Sequence, residues 1–154
     1  SQLDRFMIRL TMGYPDPEDE AAILKAKSQK SSLPQVRTVM TAEHLKLLRS
    51  AADGVFVSDE IFDYIARLSA ATRNDPRLEL GVSPRGSLAV TAMARSAAMF
   101  SGRNYVIPKD IENIYGDVCA HRVIPARIKG KVPDDSGVRD ILESICGGVT
   151  APKL

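Results

Sequence analysis

The chain has 154 residues, the length of one ordinary domain and enough to bury a substantial core. Apolar residues make up 44% and charged residues 26%, with aromatics at 5% and no Trp, which fits a soluble globular protein with a core of aliphatics and alanine. A net charge of +2, without any block of five or six like charges, is too weak to imply a nucleic-acid or polyanionic partner, and no run approaches the roughly 18 apolar residues of a membrane span. Cys119 and Cys146 lack CxxC spacing and a companion His pattern, so they are expected to be reduced thiols in a cytoplasmic protein, with no metal site.

In chain order, Phe6, Ile8 and Leu10 alternate with Met7 and Arg9 at the two-residue period of a half-buried strand. No second convincing strand follows, and a lone strand is not independently stable, so this one is expected to belong to a sheet outside the chain, which then reads as a C-terminal fragment. In "YPDPEDEAAILKAKS", Asp16 caps a helix, Pro17 takes its first position and Glu18, Asp19 and Glu20 suit its dipole. Lys27 to Ser32, with Leu33 and Pro34, reads as an exposed linker. Thr41 then caps a helix that Gly54 ends, with a Met40 to Leu45 staple and a buried stripe of Leu45, Leu48 and Ala52. Ser58 caps the next, stapled by Val57 and Phe62, with Ile61, Ile65, Leu68 and Thr72 on one face, and this helix is expected to be central.

Pro84 opens a helix through Leu88, Ala92, Met99 and Phe100 to Gly102, rich in alanine and expected to be largely buried. Pro108 starts another, with Ile111, Ile114, Tyr115 and Val118 as its stripe, weakened in the middle by Gly116. Ile107 stands where a capping Ser or Thr would serve, which predicts a loose start. The last helix places Val138, Ile141, Leu142 and Ile145 on one face before two glycines. The fold class is therefore all-α: a helical bundle preceded by one orphan strand.

Two phosphate or metal patterns fail on inspection. "VFVSDE" resembles an apolar strand ending in magnesium-binding carboxylates, but Ser58 interrupts the run and Asp59 and Glu60 fit a first helical turn. The phosphate-cradling pattern GxxxxGK[ST] does not occur in the sequence. One residue is out of place instead: Arg85, in "LGVSPRGSLAV", puts a cation on a helix's first turn, against the dipole and beside Gly86 and unpaired backbone N–H groups. Together these make an anion site, the plain alternative being an arginine in water.

The segments "SQLDRF", "GYPDPEDEAAIL", "VSDEIFDYIARLSAATR", "LGVSPRGSLAVTAMARSAAMFSGRNYVIPKDI" and "AHRVIP" occur in an order that resembles the C-terminal part of a MoxR-type AAA+ ATPase. The resemblance covers nearly the whole chain, and its most specific part is the SPRG helix start, the link that follows the alanine-rich helix, and the "HR" pair. It implies three parts: 1–14 as the last strand of the ATPase core, 15–34 as a linker helix and loop, and 35–154 as the helical lid. Arg85 is similar to a sensor 2 arginine, reaching from the lid to the phosphates of a nucleotide on the core. Arg5, in "LDRF", is similar to an arginine finger presented to a neighbouring subunit.

The resemblance also implies ATP and Mg2+ held mainly by a core outside this chain, whose Walker motifs and sensor 1 residue the sequence lacks. It implies a ring oligomer, by expectation a hexamer, that remodels or matures client proteins, often beside von Willebrand A domain partners, with no nucleic acid bound. The chain alone is then expected to be inactive. A different class of reading is a stand-alone helical interaction or nucleic-acid-binding module, resting on Arg122, Arg127, Lys129 and Lys131. Those four read better as a solvated segment, since no aromatics interleave and Asp134 and Asp135 follow closely. The lid of a chelatase-type AAA+ subunit shares much of the pattern, and His121 with Arg122 favours the MoxR type.

Overall fold

Residues 2–28, 37–127, 130 and 132–153 are described by the structure, a computed structural model. Among them six α-helices follow one another: α1 (Pro17–Ser28), α2 (Ala42–Asp53), α3 (Asp59–Asn74), α4 (Pro84–Phe100), α5 (Pro108–Cys119) and α6 (Asp135–Gly148). Two short strands, β1 (Leu78–Leu80) and β2 (Ile124–Pro125), pair antiparallel between them. The all-α reading is borne out, with this small sheet as an addition that three- and two-residue strands are too short to announce in sequence.

Helix α3 is central, as its periodicity predicts. Ile61, Tyr64, Ile65, Leu68, Ser69 and Thr72 are buried along one face at spacings of three and four. Around it pack α4, α5 and α6, the last contributing Val138, Ile141, Leu142 and Ile145. Helix α4 meets its neighbours through small residues: Gly86, Ala89, Val90, Ala94 and Ala98 are buried, and small side chains let helix axes approach closely. Leu88 and Phe100 were expected on its buried course but are exposed. Helix α2 is more peripheral than its stripe suggests, since none of its residues is fully buried and Leu45 is exposed, leaving Leu48 and Ala52 half-buried. Helix α1 likewise buries no residue.

The helix starts follow the capping rules closely. Asp16 accepts from the N–H groups of Glu18 and Asp19 at 3.0 and 2.9 Å, Thr41 from His44 at 3.2 Å, Ser83 from Gly86 at 3.2 Å and Asp134 from Gly137 at 2.9 Å. Ser58 holds the corresponding place before α3 without making a side-chain cap bond. The loose start expected at Ile107 is corrected by Asp110, whose carboxylate accepts from the Ile107 N–H at 2.9 Å and is itself gripped by both arms of Arg103 at 2.8 and 2.5 Å. Arg103 and Asp110 thus fix the turn between α4 and α5 without a hydroxyl cap.

The strand expected over residues 6–10 is not formed. A 3-10 turn covers Gln2–Arg5, and the residues after it take no ladder partner among the described residues. Their backbone groups go elsewhere: the Phe6 carbonyl accepts from Arg122 and His121, and the Arg9 N–H donates to the Asp117 carbonyl at 3.0 Å. Arg9 also pairs with Asp135 at 3.0 Å, while Ile8 packs against the core. Of the linker read over Lys27 to Pro34, Lys27 and Ser28 belong to α1, and 29–34 lie outside the described residues. No helix of the described residues is long and apolar enough to cross a membrane.

Between β1 and α4 the chain passes so close to the end of α3 that position 81 must lack a side chain. A Cβ on Gly81 would lie 2.5 Å from the Arg73 backbone nitrogen and 2.7 Å from the Thr72 carbonyl carbon. The approach is fixed by Thr72, whose buried hydroxyl accepts from the Val82 N–H at 2.9 Å. Gly81→Ala is therefore expected to destabilise the chain by about 1–3 kcal/mol through backbone displacement. A fall of several degrees in Tm checks this, at roughly 2–4 °C per kcal/mol for a chain of this size. An unchanged Tm would refute it.

Candidate functional site

The site is built on the residue pair that follows α5. The Arg122 side chain is 2% exposed. A buried guanidinium needs its donors matched, and this one finds them on three segments. Its Nε donates to the Val118 carbonyl at 2.8 Å, one of the carbonyls that a helix end leaves without a partner. Nη1 donates to the Asp4 carbonyl and to Asp4 Oδ1 at 3.0 Å, and Nη2 donates to the Phe6 and Met7 carbonyls, the latter at 3.3 Å. His121 adds its Nε2, 3.0 Å from the same Phe6 carbonyl, so this nitrogen carries the proton. The turn after α5 thereby holds residues 4–7 in place.

Asp4 extends this hold to α4. Its carboxylate accepts from the Ser83 hydroxyl at 3.1 and 3.4 Å, while the same hydroxyl accepts from Gly86 N–H and caps the helix. A carboxylate is favourably placed at a helix N-terminus. Gly86 makes the approach possible: a Cβ there would stand 2.6 Å from Val82 Cγ1 and 3.3 Å from Arg122 Cδ. The glycine of SPRG thus serves packing against Arg122, where the sequence suggested only room for an anion.

Arg85 is exposed on the first turn of α4 and forms no hydrogen bond or ion pair among the described residues, and its own N–H is likewise unpaired. Its charge acts on Asp4, so the cation set against the dipole is partly compensated by a resident carboxylate. Arg5 is also exposed and rests over the Phe6 ring, 5.7 Å from its centroid. The structure therefore joins the two sequence-predicted arginines through Asp4, which neighbours Arg5 in the chain and bonds to Ser83, two residues before Arg85.

Two residues of this site escaped sequence reading. Arg122 was placed in a solvated basic segment, and that is corrected: it is buried as an ion-pair partner, while Arg127 is exposed and Lys129 and Lys131 lie outside the described residues. Arg73, at the end of α3, donates its Nε to the Val82 carbonyl at 2.8 Å and leaves the rest of its guanidinium at a groove of about 380 Å3 shared with Asp4, Ser83, Pro84 and Arg122. Its signal was the cation closing "SAATR" at the end of α3. The cysteines stay outside the chemistry: both are free, and burial pushes the Cys119 thiol up and that of Cys146 to about 12.

Burial works to raise the Asp4 carboxyl, but hydrogen bonds from Arg122 and Ser83 and the charges of Arg122 and Arg85 outweigh it, so the group titrates below its ordinary range. The unfolded chain then binds the proton more readily than the folded one, and this stabilisation, present above about pH 4, is lost as pH falls through the depressed value. Thermal melts between about pH 5 and pH 2 should show an acid limb that Asp4→Asn makes shallower. An identical limb in the variant would remove Asp4 from the account.

Comparison with known proteins places this geometry. The AAA lid domain family matches residues 70–144, which include Arg73, Ser83, Arg85, Gly86 and Arg122. The chain is 32% identical over 148 residues, 94% of its length, to the protein YeaC of Bacillus subtilis, of which it covers 46%. It is 35% identical over 133 residues, 80% of its length, to the chaperone MoxR1 of Mycobacterium tuberculosis, of which it covers 35%. A crystal structure of a candidate ATPase from Cytophaga hutchinsonii superposes with a TM-score of 0.80 at 27% identity, over 99% of this chain and 48% of that one. The chain thus spans half or less of the length of the relatives it matches. By its lid-domain match, its relatives and its structural neighbour, the chain is similar to the C-terminal part of MoxR-type AAA+ proteins.

Proposed function

We propose that the chain is the lid region of an ATPase that couples ATP binding and hydrolysis to remodelling or maturation of client proteins in the cytoplasm. In this reading residues 1–14 complete the ATPase core, 15–34 connect it, and 35–154 form the lid. The observation that carries it is Arg85: an exposed guanidinium with no hydrogen-bond partner among the described residues, beside its own unpaired N–H, at the start of a helix. Such a donor set suits a phosphate oxygen. Among the described residues no cluster of His, Cys, Asp or Glu converges as a metal site, and the reading assigns Mg2+ and most of the ATP contacts to the core.

When bound, ATP with Mg2+ supplies a phosphoryl group that passes to water through a transition state rich in negative charge. Arg85, as a sensor 2 residue, would neutralise part of that charge from the same chain and tie the lid's orientation to the terminal phosphate. Arg5, as an arginine finger, would do so across a subunit boundary in a ring, by expectation a hexamer. A relative named as a chaperone supports protein clients rather than nucleic acid, and the proposal extends to von Willebrand A domain partners.

The test is turnover in the intact ATPase. Arg85→Ala should lower ATP hydrolysis about a thousandfold and leave the melting temperature of the lid nearly unchanged, since no core packing is lost. Arg5→Ala should slow turnover too, but mixed rings should recover activity when partner subunits carry Arg5 and a disabled phosphate loop, whereas Arg85→Ala should resist such rescue. The isolated chain should hydrolyse no ATP above a buffer blank. Undiminished turnover in Arg85→Ala would return that residue to a solvated arginine at a structural helix.

A further inference from the structure

Arg5 and Arg85 stand on different segments, yet one buried pair fixes both. Arg122 donates to the carbonyls of Asp4 and Phe6, the residues on either side of Arg5, so the backbone that carries Arg5 is held on both flanks. The same guanidinium pairs with the Asp4 carboxylate, which takes the hydroxyl of Ser83, the cap of the helix whose first turn carries Arg85. The Arg122 stem lies against that turn at Gly86, where a Cβ would come within 3.3 Å of it. A shift of the start of α4 is therefore passed to residues 4–7 through short, charge-assisted bonds and direct packing.

We propose that Arg122 and Asp4 are positioning residues for ATP turnover, binding the segment of Arg5 and the helix start of Arg85 into one unit so that the two arginines move together. This rests on the ATPase reading above and adds to it a physical link between a chain's own nucleotide, sensed by Arg85, and a neighbour's nucleotide, met by Arg5. Neither positioning residue needs to touch substrate. Their effect passes through the two arginines, and misplacement of a catalytic group by about 1 Å costs on the order of a hundredfold in rate.

The experiment measures kcat and KM of the intact ATPase carrying Asp4→Ala, in the wild-type background and in Arg5→Ala and Arg85→Ala backgrounds. Asp4→Ala is preferred to truncation of Arg122, which would leave buried carbonyls unpaired and threaten folding; Arg122→Lys is the second variant, keeping the charge while losing the fork that reaches both flanks of Arg5. Thermal melting of each variant, with hydrogen exchange of residues 4–9, establishes that the lid remains folded. Asp4→Ala should lower kcat about a hundredfold with KM little changed, and the factor should shrink markedly once either arginine is absent. Arg122→Lys should follow the same pattern more mildly, and Asp4→Asn, which keeps the shape of the acceptor, should restore part of kcat. Equal losses in all backgrounds would mark Asp4 as merely structural and overturn the proposal while leaving the ATPase reading intact. If Arg85→Ala alone costs nothing, the sensor role of Arg85 falls and takes this proposal with it, whereas an intact protein that hydrolyses no ATP would overturn the ATPase reading.

Discussion

A guanidinium withdrawn from water is the constraint around which this lid is arranged. Leaving a buried arginine short of partners is strongly unfavourable, so the chain must bring acceptors to Arg122 from wherever it can. It finds one on α5, where the Val118 carbonyl has no helical partner, and the others on the Asp4 carbonyl and carboxylate and on the carbonyls of Phe6 and Met7. Phe6 and Met7 belong to no helix or sheet ladder that would otherwise occupy their carbonyls, and Asp4 lies in the short 3-10 turn before them. Residues 4–7 and the turn after α5 thus complete each other's hydrogen bonding. Arg139 reinforces the same alignment lower down, pairing with Asp117 at 2.6 Å and Asp135 at 3.3 Å, while Arg9 reaches Asp135.

The packing around this anchor relies on missing side chains. Gly81 lets the chain graze the end of α3, and Gly86 lets the first turn of α4 lie on Val82 and the Arg122 stem. Beyond that turn the buried face of α4 continues through Val90, Ala94 and Ala98 at four-residue intervals, keeping α4 close to its neighbours along its length. The helix start that bears Arg85 is therefore supported from below by packing, from the side by the Ser83 cap, and at its tip by the Asp4 carboxylate. The ligand contact proposed for Arg85 would need such support to occur with little reorganisation.

The helices were legible because their signals are local. Pro at a first position, Asp16 and Thr41 as caps, and the stripes of α3, α5 and α6 each depend on residues within a turn or two. What failed was non-local. Phe6, Ile8 and Leu10 alternate as a strand would, but alternation does not supply a partner strand, and the carbonyls were claimed by an arginine well over a hundred positions away. For the same reason Arg122 read as one more solvated cation in a basic stretch: only its burial against Asp4 distinguishes it from Arg127. Arg85 could be singled out because its misfit with the helix dipole is itself local, and the resemblance carried in SPRG drew attention to the same position.

The charge balance at the start of α4 gives the site its polarity. Asp4 faces Arg122 and feels Arg85, and Arg73 borders the same groove, so one carboxylate is set among three guanidinium groups. Of these, Arg122 has its donors taken by protein oxygens, and Arg73 has its Nε bound to the Val82 carbonyl. Arg85 alone of the three has no hydrogen-bonded partner among the described residues. Because the effective dielectric rises toward the surface, the buried pair is the stronger one, and Asp4 is held to Arg122 rather than drawn out to Arg85. An anion approaching the helix start thus meets Arg85 with its donors free and need not compete with the lid's own carboxylate for the buried guanidinium.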